Sequence, residues 1–531
     1  MKKPSLPVIQ IVCAVTWCLF AAGPIFGFAA LKPILVSEGV YSDLCKTNST
    51  ISLNNDYAIT KNMFTSGKFI PEKPCITQDL KLNMIFTIGA VVTNLCSLAV
   101  GFVLDHAGPR ICGYVGVCFL TIGSFILQFS KQIQLFDPYL TGYIGLAIGG
   151  PFVFISTFQL ANSIPKHSGS ILALITGSFD TSSALFLFYR LYYQNVNPNC
   201  GLKTFFSWYL LVPTFILLCQ LFIMPKDSYK TIGNIHKLEI EGLNESGFIP
   251  QEVIDTTQDG DERASLIRAN SQGLDPVKST HSGRRKSVVE LAVENKLKSK
   301  TNGIFGVLHN YTAMQQLKTP WYFLMQGFTI ICMLRINYFV ATIRSQEEFL
   351  LGSYEEALRL NGVFDVALPL GGVIAIPFIG IILDHMATLS VLVLVTCISV
   401  IIGILGLIPH SFTANLIGIL ILVAYRPFYY TVVSDYCAKV FGFETFGTVY
   451  GLLMTIAGLL NLLQSVFDRW THSVFKMNPT PINSILVLIT ILFGGSLFFY
   501  IKLQLKKISQ DNEASPSSST HGLLETTYGS V

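Results

Sequence analysis

Runs of about 20 apolar residues recur along the chain between short polar turns, the length that crosses a hydrocarbon core of roughly 30 Å at 1.5 Å of rise per residue. Six such runs fall at 9–35, 82–104, 111–129, 139–161, 171–193 and 205–224, and six more at 321–341, 363–383, 389–408, 414–433, 446–466 and 482–501. The pattern predicts an all-α membrane protein with twelve transmembrane helices in two six-helix halves, the first over 1–224 and the second over 319–502. Between them 225–318 is rich in Lys, Asp, Glu, Ser and Gly with few aromatics, and reads as a flexible linker; 503–531 reads as a disordered tail.

Composition sharpens this reading. The 531 residues are 51% hydrophobic and 13% charged, against roughly 25% charged in soluble proteins. The net charge of +4 is small and its carriers sit in loops, so no nucleic-acid surface is expected. With six spans each way, both termini and the linker share a side with Lys2, Lys3, Arg110, Lys166, Arg284, Arg285, Lys439, Lys502, Lys506 and Lys507, which the positive-inside rule makes cytoplasmic. The opposite face receives the polar loop 37–81, with the sequon Asn48-Ser49-Thr50 making Asn48 a glycosylation candidate. Cys45 and Cys75 are candidates for a disulfide there, with Cys200 as a competing partner. Other cysteines, such as Cys13, Cys18, Cys96, Cys332 and Cys397, lie in spans as small hydrophobes. The first span has no small-x-small cleavage site and reads as retained. No His or Cys cluster has metal spacing and there is no phosphate loop or paired nucleophile and base, so neither metal, cofactor nor enzymatic chemistry is expected.

The polar residues that interrupt this pattern carry the candidate function. Span two ends in Gly101-Phe102-Val103-Leu104-Asp105-His106-Ala107-Gly108-Pro109-Arg110, and span eight ends similarly in Gly380-Ile381-Ile382-Leu383-Asp384-His385. An acid at a helix end is commonly a solvated terminus, but its recurrence at the matching place of a second half argues for a gating loop formed by Gly101, Asp105, Gly108, Arg110 and Asp384. Small residues four apart, at Gly145 and Gly149, at Gly169, Ala173 and Gly177, and at Gly447 and Gly451, permit close helix approach, either as static packing or as moving contacts between halves. Pro151 in span four marks either a kink or an unwound turn.

Ionisable residues inside spans cost at least roughly 2.5 kcal/mol each unless they face protein or water. Asp180 lies near the midplane of span five, where it is a candidate for a substrate amine, a coupling proton or a charge brace. Arg335 and Asp365 are both expected in the outer third of spans seven and eight, as a brace or an outer gate. Arg426, with Tyr429 and Tyr430 near it in span ten, could grip a substrate carboxylate bidentately or pair with Asp180 or Asp435.

The 101–110 loop and its partial repeat resemble the signature loop of the major facilitator superfamily, which implies that acid and base latch the two halves in the outward-open state. Within it, Ile25-Phe26-Gly27-Phe28, Gly177-Ser178-Phe179-Asp180, Arg335-Ile336-Asn337-Tyr338-Phe339, Arg426-Pro427-Phe428-Tyr429-Tyr430 and Phe446-Gly447-Thr448-Val449-Tyr450-Gly451 resemble the solute carrier 43 branch of system-L-type amino-acid transporters. Phe28-Ala29-Ala30-Leu31-Lys32-Pro33-Ile34-Leu35 is similar to fungal vacuolar transporters of that branch. The resemblance implies alternating-access transport of neutral amino acids, facilitated or proton-coupled, with the lipid bilayer, a small-molecule substrate and protons as partners. A nucleobase carrier and a nontransporting nutrient sensor are the alternatives. In the linker, Arg284-Arg285-Lys286-Ser287 makes Ser287 a phosphorylation candidate, and Glu262-Arg263-Ala264-Ser265-Leu266-Ile267 matches a sorting signal pointing to the vacuolar membrane.

Overall fold

A computed structural model describes residues 6–46, 75–164, 167–225, 229, 304–309 and 311–514. Asn48, Ser287, the sorting match and most of the linker lie outside these residues, as does the side chain of Asp365. Among the described residues every regular element is helical. Among these residues eleven helices or broken helices are long and apolar enough to span a membrane, and the bent pair in 354–385, taken as one span, makes twelve.

Spans one to six occupy Leu6–Ser37, Ile76–Ala107, Pro109–Gln128, Pro138–Ser163, Ser168–Asn195 and Leu202–Phe222. Spans seven to twelve occupy Pro320–Leu351, Tyr354–His385, Thr388–Leu405, Phe412–Val440, Phe446–Ser473 and Thr480–Ala514. Several run beyond their apolar stretches. Span seven continues past 341 to Leu351 because Thr342, Gln346 and Glu347 are buried against neighbours. With that extension Arg335 stands at the middle of a 32-residue helix. Span eight bends by 56° between Leu368 and Leu370, where Pro369 removes a backbone donor.

Three breaks shape the centre. Span one stops at Ala21 and passes through a 3-10 turn, Pro24–Gly27, before resuming at Phe28. The backbone groups freed there are paired, as the membrane interior requires: Gly23 N–H donates to Ser182 Oγ at 2.9 Å, and Tyr143 O–H donates to the Ile25 carbonyl at 2.5 Å. Span five breaks at Ser183 and span eleven between Leu460 and Leu463, equivalent positions of the two halves. Span four stays helical through Pro151 and changes to a 3-10 turn only after Ile155, so the proline does not mark the unwound turn.

Packing between halves follows two seams, span two on span eleven and span five on span eight. Glycines make both possible. A Cβ on Gly101 would strike the Gly447 carbonyl, one on Gly451 the Ser97 carbonyl, and one on Gly177 the side chain of Ile376. Gly145 and Gly149 behave differently, packing on Gly123 and Leu120 of span three within the first half. On the face opposite the termini, Cys45 and Cys75 are bridged and Cys200 is free.

Candidate transport site

The two signature acids occupy equivalent positions across the seams. Asp105 accepts from the backbone N–H groups of Gly447 at 2.9 Å and Thr448 at 2.6 Å, the first residues after Phe446 in span eleven. Asp384 accepts from Gly169 N–H at 2.9 Å, from Ser170 N–H at 3.2 Å and from the Ser170 hydroxyl, at the start of span five. Each carboxylate thus caps a helix N-terminus of the opposite half, where orphan donors and the helix dipole both favour negative charge. Gly108 takes φ 85° between spans two and three, a conformation open to glycine and strained for other residues. Arg110 donates to the Met224 carbonyl in its own half, whereas both acids reach across to the other half.

Above these caps the seams stay closed to mid-span. Thr455 Oγ1 donates to the Asn94 carbonyl at 2.9 Å, Thr176 and Thr431 share a hydroxyl hydrogen bond, and Phe158 packs edge-on against Phe446 and Tyr450. The bundle is therefore shut on the termini side.

At the centre the structure joins two of the sequence candidates. Arg426, in the middle of the 29-residue helix Phe412–Val440, lies with Nη2 3.5 Å from Asp180 Oδ1, just below the break in span five. Both side chains are largely buried, 13% and 4% exposed, yet Asp180 Oδ1 and Oδ2 and Arg426 Nε have no hydrogen-bond partner among the described residues. Tyr430 stands beside the pair. Phe179, Phe26 and Phe154 form an adjoining ring cluster, with centroids 5.7 and 4.6 Å apart. Asp435 is not the arginine's partner, since it accepts from Lys439 at 2.7 Å.

Other candidates are placed apart. Tyr429 O–H donates to the Thr329 carbonyl at 2.7 Å and is fully buried, tying span ten to span seven. Arg335 donates to Ser399 Oγ at 2.7 Å, to the Ser399 carbonyl at 2.9 Å and to Thr490 Oγ1 at 3.1 Å, inside the second half. Its suggested pairing with Asp365 concerns a side chain outside the described residues. Sequence reading missed Glu347, buried in span seven and lining one cavity with Arg335. The apolar period of Phe339, Ile343 and Leu351, with Glu347 on the same face, was the signal that could have found it.

Two six-span halves that cap one another's helices around a central charged site define a transporter of the major facilitator type. No protein-family model matches the chain. Protein FMP42 of Saccharomyces cerevisiae is 54% identical over 94% of this chain and 96% of its own length, and the chain belongs to that family, within the solute carrier 43 branch of the major facilitator superfamily. The equilibrative nucleobase transporter 1 of Bos taurus is 21% identical over 93% of this chain and 96% of its own. The large neutral amino acids transporter small subunit 3 of Mus musculus is 27% identical over 39% of this chain and 35% of its own. Among solved structures, the proton:xylose symporter XylE bound to 6-bromo-6-deoxy-D-glucose shares the fold, with a TM-score of 0.54 and 13% identity over 93% of this chain and 96% of that one. The protein is a multi-pass membrane transporter and not an enzyme.

Proposed function

We propose that the protein carries a neutral, zwitterionic amino acid by alternating access, with Asp180 and Arg426 as its central binding pair. The observation that carries this reading is the buried, incompletely hydrogen-bonded ion pair between the halves. A zwitterion entering such a pair places its carboxylate on the guanidinium fork and its ammonium on the carboxylate, so the site stays electrically neutral while the unmade hydrogen bonds form. A cationic amino acid would leave one charge uncompensated in a low-dielectric centre, which disfavours it. The large neutral amino acids transporter relative supports the same substrate class.

Asp105 and Asp384 act as the latch of the termini-side gate, and the state with both caps made is the one open to the opposite face. We place both termini in the cytoplasm and the protein in the vacuolar membrane, on the loop-charge asymmetry and the sorting match. A second reading, nucleobase transport, is favoured by the Phe26, Phe154 and Phe179 rings beside the pair, which could stack a planar base.

Purified protein in sealed liposomes, tested for uptake of labelled leucine, histidine, lysine and adenine, separates these readings. Saturable leucine uptake, with Arg426→Lys raising the half-saturation concentration roughly tenfold through the loss of one charge-assisted hydrogen bond, is the expected outcome. Saturable adenine uptake without leucine uptake would replace the amino-acid reading. Equal leucine affinity in Arg426→Lys and wild type would remove the arginine from the substrate site.

A further inference from the structure

The second half contains its own cavity, largely apolar with a few buried polar groups on its wall and separate from the central pair. It lies among spans seven, nine, ten and twelve, and its volume of about 50 Å³ has space for roughly three to five waters at about 10–15 Å³ each. Gly403, Gly406 and Gly418 make the room, and a Cβ at Gly403 would lie 2.6 Å from Arg335 Nη2. Arg335 lines one part, and Glu347, twelve residues along the same helix and thus about 18 Å away, lines another.

Glu347 is 1% exposed, and its Oε2 has no hydrogen-bond partner among the described residues. Asn415 faces the Glu347 carboxyl from span ten and is 2% exposed, with no other hydrogen-bond partner for its amide among the described residues. The hydroxyl of Tyr425, also on the cavity wall, lies against Ser399 and Cys332 and makes no close hydrogen bond among the described residues. Each such group costs about 1–3 kcal/mol if nothing completes it. Their convergence on one cavity is the mark of a ligand or solvent path, not of a packing fault.

We propose that Glu347 is a proton-binding carboxyl of the transport cycle, served by the intra-half cavity and reporting to the central site through Tyr425. Asn415 suits it as a partner because an amide both donates and accepts. Its NH2 serves the carboxylate, and after amide rotation its carbonyl accepts from the carboxylic acid, so both protonation states find a hydrogen bond. The proton comes from water on the face opposite the termini, near which Glu347 lies at the end of span seven, and sits on Oε2. No covalent bond other than O–H forms or breaks.

The charged and titratable groups facing the cavity are Arg335 and Cys332 from span seven and Tyr425 from span ten. Spans nine and twelve present Ser399, Gly403 and Asn483, which do not titrate, and His410 stands at the turn above, its backbone N–H donating to the Leu350 carbonyl. No cation is hydrogen-bonded to Glu347 among the described residues, whereas Asp180 has Arg426 beside it. This assigns proton coupling to Glu347 in place of Asp180. Tyr425 connects the two sites, since it directly precedes Arg426 and stacks on Tyr429 at 6.2 Å.

The inference rests on the carrier reading for its transport consequence, so the test has two arms. In liposomes, Glu347→Gln is expected to abolish acceleration of uptake by a proton gradient while leaving counterflow exchange intact. Gradient acceleration retained in Glu347→Gln, or absent from a wild type that performs counterflow, would overturn the coupling role and leave the carrier reading standing. Infrared difference spectra between neutral and alkaline pH, where exposed carboxyls stay ionised throughout, need no substrate: a protonated-carboxyl band is expected in wild type and in Asp180→Asn, and its loss in Glu347→Gln. Persistence of the band in Glu347→Gln, or its absence from wild type, would overturn the site itself. Should Glu347→Gln fail to fold, Asn415→Ala is expected to move the pH at which the band titrates, and an unmoved midpoint would likewise overturn the proposal. No counterflow with any substrate would sink the carrier reading alone, with the infrared arm still deciding the site.

Discussion

Replacing Asp105 by asparagine should loosen the termini-side gate by an amount that the geometry sets. The carboxylate accepts from Gly447 N–H and Thr448 N–H with one oxygen each. Asparagine keeps one acceptor and turns an NH2 toward the other donor, so one charge-assisted hydrogen bond worth about 1.5–3 kcal/mol is lost. Removing the charge from the helix N-terminus takes roughly 0.3–1 kcal/mol more. A net loss of about 2–3 kcal/mol shifts the balance between closed and open gate roughly 30- to 150-fold. His106 and His385 are exposed on opposite halves at this end, which makes them suitable for paired spin labels. In Asp105→Asn the distribution of distances between those labels is expected to gain a longer component, and Asp384→Asn should do the same through the other seam. An unchanged distribution in a folded Asp105→Asn protein would refute the latch, and the two hydrogen bonds would then be static packing.

Three further outcomes follow from the same contacts. Gly447→Ala puts a methyl against the Gly101 carbonyl and 2.7 Å from Asp105 Oδ1, so it should open the same gate, at about 1–3 kcal/mol of overpacking, as read by the same spin labels. Tyr429→Phe removes the hydrogen bond to Thr329, and a stability loss of about 1 kcal/mol with unchanged substrate half-saturation is expected; altered half-saturation would return Tyr429 to the binding site. Cys45→Ala opens a loop of 30 residues and should cost about 3 kcal/mol, seen as a lower thermal midpoint that reductant reproduces in wild type and leaves unchanged in the variant.

Much of the candidate site was legible locally, but its partnerships were not. Asp180 and Arg426 stood out because a charge within an apolar run is expensive, yet that argument left Asp180 free for several roles and gave Arg426 a choice between Asp180 and Asp435. Lys439 one turn after Asp435 decided the matter by taking Asp435 for itself. The length of span seven was underread because apolar length was taken as helix length, whereas buried Gln346 and Glu347 carry the helix further. Loop chemistry alone gave Arg110 no partner, and only folding shows it bound to Met224 of its own half.

The sequence by itself determined the number of spans, the division into halves, the glycine-rich faces and the repeated acid at the ends of spans two and eight. These depend on residue spacing along one helix or turn, on the bilayer's thickness and on the cost of an unpaired backbone or charge within it. The tertiary structure alone decided which helix each acid caps, where spans one, five and eleven break, that Asp180 meets Arg426, and that Glu347, Asn415 and Tyr425 share a cavity. Those outcomes depend on the depth and rotation of helices far apart in the chain, quantities set by close packing between neighbours and carried by no local pattern.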